Sequence, residues 1–228
     1  MSARRAILVL EKPWKLDARD ANRVSVRPFI DAMARLSGDV DVCHANFYDE
    51  ASLLGALDTV CHTQYEHAIV YVAAHGDETS AGCDLTPLFA AIRKRADAAN
   101  IRGVLLGSCL AGFATRAHEF ALEGSALRWC VGYASECDWM TGTMIDCALL
   151  QEAIRFTTRS YGRDNLVKRF ALAIAPFSPG HYIGDDSDGE PMALADSLQF
   201  VIQSPGRGQR AETISADVFE EHERLQLD

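Results

Sequence analysis

The chain has no apolar run approaching the roughly 18 residues that a bilayer-spanning helix requires. No secretory core opens it: Ala6 to Leu10 is a short apolar run that Glu11 ends. Positive charge is in deficit. Lys and Arg number 22 against 32 Asp and Glu, a formal net charge of -10. That balance argues against non-specific nucleic-acid binding, which depends on cations that neutralise phosphates. Seven cysteines and seven histidines are present, yet no C-x-x-C or H-x-x-x-H spacing occurs, and Cys43-His44 and Cys61-His62 are adjacent pairs unsuited to one ion. Asp185, Asp186 and Asp188 lack the remaining pattern of a calcium loop, and no Lys follows Gly107 to Gly112 as a phosphate loop would require. The expectation is therefore no metal and no cofactor. The odd number and irregular spacing of the cysteines read as free thiols in a reducing cytoplasm. Internal repeats and low-complexity tracts are absent.

What is present suits a globular domain: 48% of residues are hydrophobic and 24% charged. The reading places one domain over residues 1–204 and a polar extension with a short helix over 205–228. Ala6 to Leu10 is the unbroken apolar run of a strand buried on both faces. Further strands are expected at Val40 to Cys43, His67 to Ala74, Ile101 to Leu106, Leu127 to Ser135 and Leu198 to Gln203. Helical spacing marks Val24 to Leu36, Glu50 to Cys61, Leu85 to Ala99, Phe113 to Leu122 and Met140 to Phe156, the last capped by Thr141 or Thr143. Leu166 to Pro176 reads as helix or strand, and Glu11 to Asn22 and Ser178 to Pro191 as loops. Alternating strands and helices predict an α/β fold with a mostly parallel sheet.

Two strand ends carry chemistry. One runs Ala68-Ile69-Val70-Tyr71-Val72-Ala73-Ala74 into His75-Gly76. The other runs Val104-Leu105-Leu106 into Gly107-Ser108-Cys109. Parallel sheets bind ligands at the carboxyl ends of their strands, so adjacent strands would set a base beside a nucleophile. A histidine can lower a thiol's pKa or take its proton during attack. The amides of Gly76 and Cys109 would form an oxyanion hole, where one donor contributes about 3 kcal/mol. A helix starting near Phe113 would turn its positive end to the same crevice and favour a thiolate.

A strand ending in His-Gly, then a helix, then a strand ending in Gly-Ser-Cys-x-x-Gly resembles the caspase-like cysteine peptidases, the superfamily of caspases, gingipains, separase and CHAT-type proteins. The resemblance covers Ala6 to Phe156. It implies a three-layer α/β/α sandwich around a mostly parallel sheet of about six strands, a His75/Cys109 dyad and a polypeptide substrate. The cysteine turn departs from the caspase signature Q-A-C-x-G, since Gly107 stands where Gln would be. The Asp found two residues before the nucleophile in Arg/Lys-specific branches is also missing; the chain resembles a relative within the superfamily and not a caspase proper, so specificity for Asp does not follow. In the superfamily the segment after the fifth strand lines the pocket for the residue preceding the scissile bond. Here that segment is Glu136-Cys137-Asp138-Trp139. Asp138 or Glu136 would select a basic side chain and Trp139 would wall the pocket; equally, Asp138 and Trp139 read as a helix cap and a core aromatic. Asp77 and Glu78 stand beside His75 to hold the imidazole or bind substrate.

Of the other thiols, Cys43, Cys61, Cys130 and Cys147 read as structural, Cys137 belongs to the pocket segment, and Cys83 has no assigned role. The alternatives are an inactive caspase-like interaction module that binds a regulatory protein partner, and a different hydrolase or flavodoxin-like domain with an incidental His and Cys. Oligomeric state is open.

Overall fold

The computed structural model describes residues 5–13 and 24–227. Strand β1 (Arg5–Glu11) leads into α1 (Arg27–Ser37), β2 (Val40–Asn46) and α2 (Glu50–Val60). The loop expected from Glu11 to Asn22 lies largely outside the described residues, though Glu11 itself closes β1. Next come β3 (His67–Ala73), a small hairpin of β4 (Gly76–Asp77) and β5 (Ser80–Ala81), α3 (Leu85–Ala99) and β6 (Ile101–Gly107). A 3-10 turn at Ala111–Phe113 precedes α4 (Thr115–Leu122), β7 (Trp129–Tyr133), α5 (Trp139–Ala153) and α6 (Arg163–Ile174). The chain finishes through β8 (Tyr182–Asp185), β9 (Pro191–Ala193), α7 (Leu194–Ser197), β10 (Leu198–Gln203), β11 (Ala211–Thr213) and α8 (Ser215–Leu227).

The central sheet has seven strands in the order β11-β10-β7-β6-β3-β1-β2, one more than expected. β10 runs antiparallel to β7 and β11, while the pairs from β7 through β2 are parallel. The period of two explains why β1 reads as a continuous apolar run. Ile7 and Val9 join one core with α1, α5, α6 and α8, whereas Ala6, Leu8 and Leu10 join the other with α2, α3 and α4. This is a three-layer α/β/α sandwich. Among the described residues no helix is long and apolar enough to cross a membrane.

Two expectations need correction here, and one open choice is resolved. The segment from 205 onward is not a separate polar extension: β11 pairs with β10, and Ile214, Val218 and Phe219 are buried in the main core. Ser178 to Pro191 is not wholly loop, because β8 and β9 form a hairpin there. It was masked in the sequence by its short, polar, glycine-bearing strands. The ambiguous stretch after Leu166 is helical, and its apolar face of Leu166, Val167, Phe170 and Ile174 is buried.

Candidate active site

The carboxyl ends of β3 and β6 place the two sequence-selected residues one strand apart. Ala73 pairs with Gly107, and His75 and Cys109 each lie two residues beyond that pair. Adjacent strands are about 4.8 Å apart. The backbone confirms the approach at the next residue. A Cβ on Gly76 would lie 2.6 Å from the Cys109 carbonyl oxygen and 2.9 Å from Ser108 Cβ, so only glycine lets the two turns meet this closely. Beyond His75 the chain folds back as the β4–β5 hairpin, and Gly82 N–H donates to the His75 carbonyl at 2.8 Å. His75 is solvent-exposed.

The cysteine sits on a tight turn. Leu110 holds a left-handed conformation at φ 62°, which costs an L-residue about 1–2 kcal/mol. Its amide donates to Ser135 O at 2.9 Å, and Ala111 N–H donates to Cys109 O at 2.7 Å. Cys109 Sγ lies 4.0 Å from Cys137 O. Burial raises the Cys109 thiol above its ordinary value, and the charge of Glu136 adds to the effect. The resting group is therefore a protonated thiol, and attack requires a base. The helix expected to start near Phe113 and favour a thiolate is displaced: the 3-10 turn occupies that place and α4 begins at Thr115.

Cys109 opens onto a cavity lined with Tyr71, Gly107, Ser108, Tyr133, Asp138, Trp139 and Asp146, among others. It has about 30 Å³ of water-sized space, room for little more than one or two waters. Asp146, from the second turn of α5, is 2% exposed. Its Oδ2 accepts from Tyr71 O–H at 2.7 Å and its Oδ1 from Tyr133 O–H at 2.8 Å. Burial pushes its carboxyl up to about 7 against the pull of those two hydroxyls. A Cβ on Gly107 would lie 2.7 Å from Asp146 Oδ2 and 2.6 Å from Tyr71 Cε2. The carboxylate thus fills the space that a side chain two residues before the cysteine would take. Ser108 Oγ and Trp139 Nε1, also on the cavity wall, are buried without a hydrogen-bond partner among the described residues.

Of the remaining selected residues, Asp138 and Trp139 line the cavity, whereas Glu136 and Asp77 are not among its lining residues. Asp138 lines the cavity but is exposed and caps α5, accepting from Thr141 N–H and Oγ1 at 2.9 Å each. Those hydrogen bonds hold its carboxyl below the usual range. The cap of this helix is therefore Asp138 rather than Thr141 or Thr143. Trp139 packs edge-on against Phe29 with centroids 5.5 Å apart. Glu136 is exposed and its amide donates to Asp185 O at 2.7 Å, which ties the segment to β8. Asp77 stabilises the β4–β5 turn by accepting from Thr79 N–H and Oγ1 at 2.7 and 2.8 Å. Asp146 and its two tyrosines escaped the sequence reading. The available signal was one Asp on the apolar face formed by Ile145, Leu149 and Leu150. Among the described residues no group of three His, Cys, Asp or Glu side chains is arranged to hold a metal ion. No protein-family description matches the chain, and no curated protein is significantly similar to it.

Proposed function

We propose that this protein is a cysteine endopeptidase of the caspase-like superfamily. The observation that supports it is the register of β3 and β6, which sets His75 and Cys109 at equivalent positions beyond the Ala73–Gly107 pair, with Gly76 against the Cys109 carbonyl. In this reading Cys109 Sγ attacks a peptide carbonyl carbon as its proton passes to His75. The amides of Gly76 and Cys109 hold the oxyanion. Collapse of the tetrahedral species breaks the C–N bond, and His75 returns the proton to the leaving amine. Water, with its proton taken by His75, then hydrolyses the thioester and regenerates the thiol.

Asp146 and the exposed Asp138, both lining the cavity, support a basic side chain before the scissile bond, with Glu136 adjoining the lining residue Cys137. The acid comes from α5 instead of the strand that carries the cysteine. Because the cavity is small at rest, the substrate side chain must displace part of the Cys137–Trp139 wall. The seven unpaired thiols suit a reducing compartment, and we assign the protein to the cytoplasm. Hydrolysis of a peptide library by wild type, Cys109→Ala and His75→Ala tests the reading. Wild type should cleave after Lys or Arg and both variants should lose the activity; cleavage by Cys109→Ala would reject it. A second reading, an inactive module that binds a protein partner in the same crevice, draws on the protonated thiol and the narrow cavity. It predicts no turnover by wild type.

A further inference from the structure

The opposite end of the sheet gathers basic groups in a chain whose formal net charge is -10. Arg5 begins β1 and pairs in register with His67, the first residue of β3. On the next strand the β3–β6 ladder is irregular: Ala68 faces Ile101 and Ile69 faces Gly103, which leaves Arg102 as the extra residue. A bulge of this kind re-aims the side chain it carries. Arg128 N–H then donates to Arg102 O at 2.7 Å, which brings Arg128 alongside.

Beside this row lies a cavity of about 340 Å³ lined by Glu66, His67, Asn100, Arg102, Phe156, Thr157, Thr158 and Tyr161. Arg102 Nη1 donates to Ala126 O at 3.0 Å, and Arg128 Nη1 to Leu127 O at 3.5 Å. Among the described residues, no carboxylate lies within ion-pair distance of either guanidinium. Glu66 on the wall and Asp97 near Arg128 offset part of the charge. Arg102 and Arg128 both act on the Tyr161 hydroxyl, and Arg5 and Arg102 both act on His67. His67 is 4% exposed. Its Nδ1 lies 3.0 Å from Phe156 O and 3.4 Å from the Tyr161 hydroxyl; since a carbonyl only accepts, the shorter contact has Nδ1 donating to Phe156 O. Nε2 is therefore an acceptor, and it is buried with no hydrogen-bond partner.

The wall thus offers as donors a guanidinium, the Thr158 hydroxyl and the hydroxyl of Thr157, which is also paired with Ser160 in the cap of the following turn, together with a buried acceptor on His67 that needs an O–H. A phosphate monoester in its monoanionic form supplies both, because its second proton leaves only near about pH 6. We propose that this cavity binds the phosphoryl group of a small phosphomonoester through Arg102, Thr157 and Thr158, with the phosphate hydroxyl directed to His67. The space beyond one phosphate favours an ester over the free ion. The site is independent of the peptidase reading, since it lies at the amino-terminal ends of the strands that carry His75 and Cys109 at their other ends.

Calorimetric titration of the full chain near about pH 6 with inorganic phosphate, glycerol phosphate, adenosine monophosphate and sulfate tests it. At least one ester should bind saturably and more tightly than inorganic phosphate, and sulfate, which has no O–H there, should bind at least about tenfold more weakly than that ester. Arg102→Ala should weaken ester binding by at least about tenfold. Thr158→Glu, an exposed position that would set a negative charge at the mouth, serves if Arg102→Ala does not fold. Absence of saturable ester binding, equal binding of sulfate, or ester binding unchanged in a folded variant would each overturn the proposal.

Discussion

Replacing Asp146 by Asn separates what this residue costs the fold from what it gives the site. Its folded carboxyl titrates at about 7 against an ordinary value of 3.8. A raised folded value favours the folded state fully below the ordinary value of 3.8, and that contribution is lost progressively as pH rises from there to about 7. The loss amounts to about 4 kcal/mol between pH 4 and 8, at about 1.4 kcal/mol for each tenfold change in proton affinity. Asn carries no charge to desolvate, and a tyrosine hydroxyl can turn to accept from its amide. Asp146→Asn should therefore be the more stable protein at pH 8 and come close to wild type only at about pH 4. Buried His67 and His118 work the other way. Burial pushes both down to about 4, so their stabilisation is present above their unfolded value and lost as pH falls. The informative quantity is thus the difference between wild type and variant in urea unfolding at the two pH values. Kinetics should move oppositely. Loss of a buried charge partner for a Lys or Arg side chain costs about 2–3 kcal/mol, or about 30- to 160-fold in kcat/KM. In wild type the same substrates should lose kcat/KM as pH falls through 7. A variant that is less stable than wild type at pH 8, or that keeps full kcat/KM on basic substrates, would refute the assignment.

Other substitutions probe the geometry around it. Gly107→Ala places a Cβ 2.7 Å from Asp146 Oδ2 and should destabilise the fold by about 1–3 kcal/mol, read as a lower urea midpoint. Gly76→Ala sets a Cβ 2.6 Å from the Cys109 carbonyl oxygen and 2.8 Å from Ser80 O; alkylation of Cys109 by a peptidyl electrophile should slow while the fold survives in circular dichroism. Asp138→Ala removes the cap of α5 and should cost about 1 kcal/mol, with a smaller effect on the preference for basic residues than Asp146→Asn in the same peptide panel.

The layers and the parallel ladder were legible because the inner parallel strands carry apolar runs, as in Ala6 to Leu10, and the helices from α1 to α5 repeat their apolar residues at helical spacing. The placement of His75 and Cys109 beyond neighbouring strand ends was legible for a related reason: each closely follows such a run. Asp146 was not. Its sequence neighbours make it look like a core position of a helix, and its partners Tyr71 and Tyr133 lie on strands far away in sequence. The β8–β9 hairpin and β11 were obscured by polar residues and short length, since their burial is decided by tertiary contact more than by local pattern. Thr141 and Thr143 were plausible caps, but Asp138, three residues before Thr141, has the spacing that reaches a free amide.

The central claim is that Cys109 is a nucleophile served by His75. Intact-mass analysis after exposure to a lysyl or arginyl acyloxymethyl ketone tests it most directly. Wild type should gain one adduct, mapped to Cys109 by peptide sequencing, Cys109→Ala should gain none, and His75→Ala should react far more slowly. Equal labelling of wild type and Cys109→Ala, or an adduct mapped to another cysteine such as Cys137, would contradict the account.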